Sequence, residues 1–190
     1  MMTIKYLTQA WLVLALAICF AAALAGVQIV LAEKIETNKF DETMGQIPGL
    51  VPGSTGGESF DLEGRIVYRA VGADGEQVGW VVPTDGQGFA DKIELLIGLD
   101  AKAETITGLY VLDQKETPGL GNKIAEEAFQ DRFRGKAAAE PLCVTKTEPP
   151  ADGEILAVTG ATVSSESVTK ILNDTLAEMK AKLAKASVKD

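Results

Sequence analysis

The feature that most constrains this chain is an uncharged stretch of 27 residues from Tyr6 to Ala32. An α-helix rises about 1.5 Å per residue, so roughly 20 of these residues cross a hydrocarbon core of about 30 Å. The sequence Ala-Leu-Ala at 23–25 resembles a signal-peptide cleavage site, which leaves a cleaved signal peptide as the alternative. Apolar sequence continues past that site to Leu31, further than the about 7–15 apolar residues of a signal peptide. We therefore predict a retained transmembrane anchor in membrane lipid over residues 1–33.

The charges on either side of this stretch predict its orientation. Lys5 and the amino terminus are positive, whereas Glu33 and Glu36 follow the stretch with only Lys34 between them. Positive residues favour the cytoplasmic side of a membrane. We therefore expect the anchor to lie in the inner (cytoplasmic) membrane, with the rest of the chain on the periplasmic or extracytoplasmic side.

Composition excludes several kinds of chemistry. The chain has no His, which removes imidazole bases, Ser-His-Asp and Cys-His catalytic groups, and His-ligated zinc or haem. Its two cysteines, Cys19 and Cys143, are too few for an iron–sulfur cluster or a four-thiolate zinc site, and we expect Cys143 to be a buried free thiol. A net charge of −9 disfavours nucleic acid as a partner. Chemistry must therefore come from hydroxyls, carboxylates, lysines or a borrowed cofactor.

The residues after the anchor predict a tether followed by one globular domain. Residues 34–60 include GQIPGLVPGSTGG, whose Gly and Pro favour a loop. Residues 61–190 are long enough to form one domain with a hydrophobic core. Strand signals come first and helical signals follow, which predicts an α+β fold with an antiparallel sheet packed by helices.

The sheet is predicted from short segments rich in β-branched and aromatic residues. These segments are residues 65–71, 77–82, 92–99 and 105–112. Residues 83–88, PTDGQG, separate the two pairs of strands and are predicted to form a turn or loop. Helical periodicity follows over residues 122–133, and a long amphipathic helix ends the chain, with Ser164 or Ser165 as its predicted N-cap.

Two loops have residues suited to binding a ligand. The first, ETPGLG at residues 116–121, follows a predicted strand, and its glycines let backbone N–H groups approach an anion or a ring closely. The second, TGATVSS at residues 159–165, precedes the last helix, and a helix N-terminus favours a phosphate group. Each loop taken alone is also typical of an ordinary turn or helix cap.

Together, the ETPGLG loop and the later TGAT sequence resemble the FMN-binding domain of the G subunit of Rnf-type electron-transport complexes. The C subunit of sodium-pumping NADH:quinone reductase shares this domain. The single anchor, the motif order and the length also fit over most of residues 1–185, and the compact domain favours the G subunit. In that family the last Thr of the motif is joined to FMN by a phosphoester, so the resemblance implies one covalent FMN on Thr162. It also implies a separate flavin transferase that attaches the FMN after export.

The resemblance implies roles for the other residues of both loops. The flavin ring is expected to contact the first loop at Glu116, Thr117, Gly119, Leu120 and Gly121. The phosphate is expected to be surrounded by Thr159, Gly160, Ala161, Ser164 and Ser165. Lys123 is a further candidate for compensating the phosphate charge.

Other positions bear on the same prediction. Four aromatic residues of the domain could contact the flavin, although aromatic residues on strands are more often part of the core: Tyr68, Trp80, Phe89 and Tyr110. Leu156 stands three residues before the TGAT motif, where family members often have Asp. That departure bears on how efficiently the flavin is attached.

The function implied by the resemblance is electron transfer. The chain would be an anchored electron-carrying subunit of an ion-translocating complex, with ferredoxin and NAD as the end partners of the complex. Its own partners would be the integral-membrane and redox subunits of that complex. It would contribute no catalytic residue, because the cofactor supplies the redox chemistry. Two alternatives are a stand-alone exported FMN carrier of another respiratory or extracellular reductase system, and a flavin-free structural subunit in which both loops are turns.

Overall fold

The computed structural model describes residues 2–187, with side chains from Ala10 onward except at Ala184 and Ser187. Contacts divide the chain into two compact units between Asp41 and Glu42. The predicted ranges 1–33 and 61–190 extend outside the described residues at the two ends of the chain, and the division at 33 and 60 stays a prediction. The side chain of Lys5 also lies outside the described part, so the orientation of the anchor stays a prediction.

Helix α1, Met2–Leu50, contains the whole uncharged stretch. Its Ala10–Leu50 segment is long and apolar enough to cross a membrane. The large apolar side chains from Trp11 to Leu31 are all exposed, so this part of the helix is apolar on every side. Such a surface is typical of a helix surrounded by lipid. The structure therefore contains the long apolar N-terminal helix that the sequence predicts, and this helix is a candidate membrane span.

The second unit contains a five-stranded antiparallel sheet in which each strand pairs with the next one along the chain. The strands are β1 (Gly56–Leu62), β2 (Arg65–Val71), β3 (Gln77–Gln87), β4 (Lys92–Asp100) and β5 (Ile106–Asp113). The predicted α+β fold with an antiparallel sheet is confirmed. Four of the five strands were predicted, and β1 was missed because its first residues lie in the Gly-rich stretch assigned to the tether.

Strand β3 continues through the residues that were predicted to form a turn. Pro83 lies opposite Leu96 on β4, whereas the pairing of β3 with β2 ends at Val81. Proline has no N–H to donate and is tolerated where a strand is paired on one side only. The turn therefore comes later, where the Gly88 N–H donates to the Asp91 carbonyl at 2.8 Å.

The two faces of the sheet are covered by different helices. Helix α3, Thr162–Ser187, packs its apolar stripe on one face, against residues that include Trp80 and Ile97. The opposite face is covered by the end of α1, where Ile47 and Leu50 are buried. Neighbouring residues along a strand point to opposite faces of the sheet. Because both faces are covered, two consecutive residues of a strand are often both apolar.

The end of α1 corrects the predicted tether, because the helix continues to Leu50 through Pro48. A proline inside a helix costs about 3 kcal/mol. Burying one large aliphatic side chain gains about 1.5–3 kcal/mol, so burial of both Ile47 and Leu50 can offset that cost. The expectation of a loop over this part of 34–60 is wrong because it considered local preferences and not this packing.

The segment between β5 and α3 is less regular than predicted. In place of one helix over 122–133 it forms a 3-10 turn at Gly121–Ala125, helix α2 at Glu127–Gln130 and a 3-10 turn at Asp131–Phe133. Glu126 has extended backbone angles, which interrupts the helical path. Two short strands follow and pair in parallel: β6 (Cys143–Thr145) and β7 (Glu154–Leu156). Cys143 is exposed on β6, so the prediction of a buried thiol is wrong.

Candidate functional site

The fold brings the two predicted loops together. An open cavity of about 320 Å³ lies between them, within the size range of small-molecule sites. The ETPGLG loop, the start of α3 and the β3–β4 turn all contribute to its wall. The lining residues are Phe89, Thr117, Leu120, Gly121, Gly160, Ala161, Thr162, Val163 and Ser164.

A tight turn at TGAT starts helix α3. Gly160 has a φ of 81°, in the left-handed region that favours glycine, and a Cβ there would lie 3.0 Å from the Leu120 side chain. The Ala161 N–H donates to the Val158 carbonyl at 2.9 Å. Helical structure then begins at Thr162. The turn therefore presents Thr162 at the first position of the helix and at the edge of the cavity.

The predicted N-cap residues lie inside this helix. The Ser165 hydroxyl donates to the Ala161 carbonyl at 2.9 Å and accepts the Val158 N–H at 3.1 Å. Ser164 is also buried. The prediction that either serine caps the start of the helix is wrong, because α3 begins two residues before Ser164 and both hydroxyls are directed inward.

The hydroxyl groups at the cavity differ in their availability. The Ser164 hydroxyl donates to the Glu116 carboxylate at 2.6 Å. Among the residues that the structure describes, none forms a hydrogen bond with the Thr162 hydroxyl. Thr162 is only partly buried, so its oxygen is the one at the start of α3 that is available to a ligand.

The start of α3 suits a negatively charged group. The first N–H groups of an α-helix have no partner within the helix, and their dipoles sum to about half a positive charge. Here these groups belong to the residues at the cavity edge, beginning with Thr162. Lys123 lies in the neighbouring 3-10 turn and is outside the lining of the cavity.

An apolar surface surrounds the same position. Phe89, Leu120 and Val163 are 64%, 48% and 50% exposed, and all three line the cavity. In the described part of the second unit, one other large apolar side chain, Ile66, is comparably exposed. Exposed apolar side chains gathered at a cavity mark a binding surface. Together with a free hydroxyl at a helix start, they fit a ligand with a flat apolar ring and a phosphate, as in FMN.

The remaining predicted residues lie outside this lining. Thr159 and Gly119 are exposed beside the cavity, whereas Ser165 and Glu116 are buried behind it. Sequence reasoning missed Val163, the residue between TGAT and the two serines. The position of Val163 in the first turn of α3 was the signal that could have identified it as a cavity residue.

The four aromatic candidates differ in where the fold places their side chains. Trp80 and Tyr68 belong to the two hydrophobic cores, and the Tyr110 hydroxyl donates to Glu42 at 2.8 Å. Phe89 alone among the four lines the cavity. Its position in the β3–β4 turn, between Gly88 and Ala90, distinguishes it from the strand aromatics.

The β3–β4 turn is tied to the ETPGLG loop by charge. The Asp91 carboxylate accepts the Lys92 N–H at 2.7 Å and lies 3.5 Å from the Lys115 ammonium. The Lys92 N–H and the positive charge of Lys115 both lower the pKa of Asp91. Asp91 is therefore ionised at neutral pH, and its ion pair joins the turn next to Phe89 to the residue before Glu116.

Comparison with known proteins identifies the class of this domain. Residues 88–177 match the family model described as the FMN-binding domain. The match includes the β3–β4 turn, the ETPGLG loop and the start of α3. The residues that form the cavity therefore lie within the part of the chain that matches the FMN-binding domain.

Among curated proteins, the chain is similar to G subunits of ion-translocating oxidoreductase complexes. The chain is 41% identical over 103 residues to the G subunit of the Na⁺-translocating ferredoxin:NAD⁺ oxidoreductase complex of Acetobacterium woodii, covering 53% of this chain and 49% of that protein. It is 36% identical over 121 residues to the G subunit of the ion-translocating oxidoreductase complex of Methanosarcina acetivorans, covering 63% and 62%. The chain thus spans between about half and three fifths of these relatives. The resemblance to the G subunits is confirmed.

Solved structures support the same fold. NqrC from Shewanella oneidensis aligns with a TM-score of 0.58 at 20% identity, covering 65% of this chain and 61% of that one. The C subunit of the Na⁺-translocating NADH-quinone reductase from Parabacteroides distasonis aligns with a TM-score of 0.56 at 26% identity, covering 62% of each chain. The relation to C subunits that the motifs implied is therefore confirmed at the level of fold.

Proposed function

We propose that this chain is an anchored electron-carrying flavoprotein subunit of an Rnf-type, ion-translocating ferredoxin:NAD oxidoreductase complex. One FMN per chain is joined to the Thr162 hydroxyl by a phosphoester. The observation that carries the proposal is Thr162 at the start of α3, which lines a cavity inside the matched FMN-binding region and whose hydroxyl bonds to none of the described residues. The named relatives support the assignment to this kind of complex.

The residues at the cavity have distinct parts in this proposal. In attachment, the Thr162 hydroxyl would lose its proton and its oxygen would bond to the phosphorus of an activated flavin phosphate donor, from which the leaving group departs. The N–H groups of the first turn of α3 would hold the phosphate. The phosphodiester keeps one negative charge, which a helix start stabilises by about 0.3–1 kcal/mol. Gly160 and Ala161 form the turn beside the phosphate. Thr159 lies outside the lining and is assigned to the outer side of the phosphate.

The ring is assigned to the apolar part of the wall. Phe89, Leu120 and Val163 provide exposed apolar surface, and Thr117 provides a polar group beside them. Gly121 brings backbone to the wall, with Gly119 at its outer edge. The bound flavin supplies the electron-transfer chemistry, while the protein fixes its position and restricts the access of solvent.

The attachment of FMN and the place of the protein are parts of the same proposal. The transmembrane helix holds the chain in the membrane. Its flanking charges support a domain on the extracytoplasmic side, where a separate flavin transferase would attach FMN. A covalent bond there keeps a small soluble cofactor from being lost by diffusion. Leu156, at the end of β7, stands where the resemblance implies Asp, and the transferase is proposed to accept this difference.

In-gel fluorescence of the denatured protein tests the covalent bond. The wild-type chain, made in cells that contain the transferase, is expected to give a fluorescent band. Thr162→Ala is expected to abolish that fluorescence, because the acceptor oxygen is gone. Thr159→Ala is the matched control and is expected to retain flavin, since its hydroxyl lies outside the cavity lining. Equal fluorescence of Thr162→Ala and the wild type would refute the attachment site.

Detergent extraction distinguishes a component of the complex from a stand-alone carrier. A component of the proposed complex is expected to co-purify with integral-membrane and redox proteins at a fixed stoichiometry. A flavin-labelled chain that purifies alone under mild conditions would favour the stand-alone carrier. A dark band from transferase-containing cells would favour the flavin-free structural alternative.

A further inference from the structure

Glu116 connects the three segments that form the cavity wall, although its own side chain is only 4% exposed and lies behind the wall. One of its oxygens, Oε2, accepts the Ser164 hydroxyl at 2.6 Å. The other, Oε1, accepts the Ala90 N–H at 3.1 Å. Ser164 is in the first turn of α3, and Ala90 follows Phe89 in the β3–β4 turn. A single carboxylate therefore ties both segments to the ETPGLG loop.

The packing around this carboxylate leaves no room for larger neighbours. A Cβ on Gly121 would lie 2.7 Å from the Ser164 oxygen and 2.8 Å from Glu116 Oε2. A Cβ on Gly88 would collide with Glu116 Oε1. Atoms pack closely in protein interiors, and a contact this short forces one of the two groups to move. Glycine at both positions thus allows the three segments to converge on Glu116.

We propose that Glu116 is a positioning residue for flavin attachment, in place of the ring contact implied by the resemblance. This proposal rests on the proposed function. Glu116 fixes the start of α3, which carries Thr162, relative to the turn that carries Phe89. It also holds the Ser164 hydroxyl, so that Thr162 remains the unengaged hydroxyl at the start of the helix.

The charge of Glu116 matters as well as its size. A carboxylate accepts hydrogen bonds at both oxygens, and bonds to an ionised acceptor are stronger than neutral ones. In Glu116→Gln, the amide oxygen can still accept the Ala90 N–H, but the amide nitrogen then faces the Ser164 oxygen. Ser164 would become an acceptor there, and its hydrogen would be free to bond elsewhere. The variant therefore keeps the volume while altering the hydrogen bonds that position α3.

The test uses the full-length chain expressed with its transferase. The initial rate of FMN attachment is measured by intact mass, the flavin environment by visible circular dichroism, and stability by thermal unfolding. Glu116→Gln is expected to slow attachment about tenfold, as loss of a buried charge-assisted hydrogen bond predicts, and to change the visible dichroism. Ser164→Ala, which is less disruptive, is expected to change both in the same direction.

Thr175→Val provides a matched control on the same helix. It removes another buried hydroxyl, which bonds to the Thr84 hydroxyl at 2.7 Å and donates to the Ile171 carbonyl at 2.7 Å, and which lies outside the cavity lining. The control is expected to lower the unfolding temperature while leaving attachment rate and flavin dichroism at wild-type values.

Each outcome bears on a separate claim. Wild-type rates and spectra in folded Glu116→Gln and Ser164→Ala would overturn the positioning role and leave the proposed function intact. Slowed attachment in Thr175→Val, to the extent of its lost stability, would also overturn it, because the effect would then follow stability alone. A wild-type chain without FMN on Thr162 would overturn the proposed function and this inference with it.

Discussion

The two helices that cover the sheet differ at the ends that meet the domain. The C-terminal end of α1 is closed: the Ser54 hydroxyl donates to the carbonyls of Val51 at 2.7 Å and Ile47 at 3.2 Å. The N-terminal start of α3 opens onto the cavity, and its first hydroxyl, on Thr162, has no hydrogen bond within the described residues. Burying an unpaired polar group at a helix end costs free energy. Such groups are therefore hydrogen-bonded by other residues of the protein or by a ligand.

The two faces of the sheet therefore have different roles. The α1 face is a compact apolar cluster centred on Ile47, Leu50 and Leu96. The α3 face has a larger apolar core, and it also places buried hydroxyls along the helix, from Ser164 to Thr175. We infer that changes at the α1 face alter stability alone, whereas changes at the start of α3 alter the bound flavin.

The largest expected effect tests the open helix start. Thr162→Val keeps the shape of the side chain and removes the oxygen, so covalent flavin should be absent. The free energy of unfolding should stay within about 0.5 kcal/mol of wild type when both are compared without flavin, because none of the described residues bonds to the Thr162 hydroxyl. Thr162→Ser should retain labelling. Urea unfolding and intact mass together decide this, and a large loss of stability would contradict an unengaged hydroxyl.

The next effect concerns the closed helix end. Leu50→Ala should destabilise the domain by about 2–5 kcal/mol, because Leu50 is buried against the sheet. The folded fraction should keep its flavin. Ile66→Ala, at a mostly exposed position, should cost less than about 1 kcal/mol. Unfolding followed by fluorescence of the buried Trp80 measures both, and equal costs would mean that α1 contributes little to this core.

A smaller effect is expected at the turn that precedes Thr162. Gly160→Ala places a Cβ in a left-handed conformation, at a cost of about 1–2 kcal/mol, and crowds Leu120. Attachment of FMN should slow several-fold, since a cost of this size displaces the turn. Gly64→Ala has the same kind of backbone strain, with open space around the added atom. Gly64→Ala should lower stability comparably and leave the rate of FMN attachment unchanged. An equal fall of the attachment rate in both variants would contradict a specific effect of the Gly160 turn.

The smallest effect is a pH dependence on the α1 face. Burial, with a further contribution from Glu42, raises the pKa of Tyr110 above its ordinary value of about 10. The unfolded chain therefore ionises first, and this contribution to stability is present below about pH 10 and lost as pH rises through the folded pKa. Tyr110→Phe should make stability fall less steeply above about pH 10. Urea unfolding across that range, with Tyr68 still present in both chains, should reveal the difference, and identical slopes would contradict it.

Much of the fold was predictable from local pattern. The apolar stripe of α3 reflects burial on one face of a helix, and the β-branched and aromatic residues of β2 reflect a strand inside a sheet. Neighbouring residues carry both kinds of information. The helical conformation of residues 45–50 was not predictable in this way. Their glycines and Pro48 favour a loop, and the helix persists because Ile47 and Leu50 meet a sheet formed later in the chain.

The candidate site was likewise only partly predictable. The two loops were found from their residue types and order, and the fold places both at one cavity. The bond between Glu116 and Ser164 joins residues 48 positions apart, and no local pattern predicts which partner a buried carboxylate takes. Charge and motif therefore identified the residues, while tertiary packing decided which line the cavity and which support it.

Mass spectrometry of the wild-type chain, purified from cells that contain the transferase, tests the central claim most directly. The account predicts an intact mass raised by one FMN less one water, with the added mass on the peptide that contains Thr162. An unmodified intact mass, or the same addition on a peptide without Thr162, would contradict it.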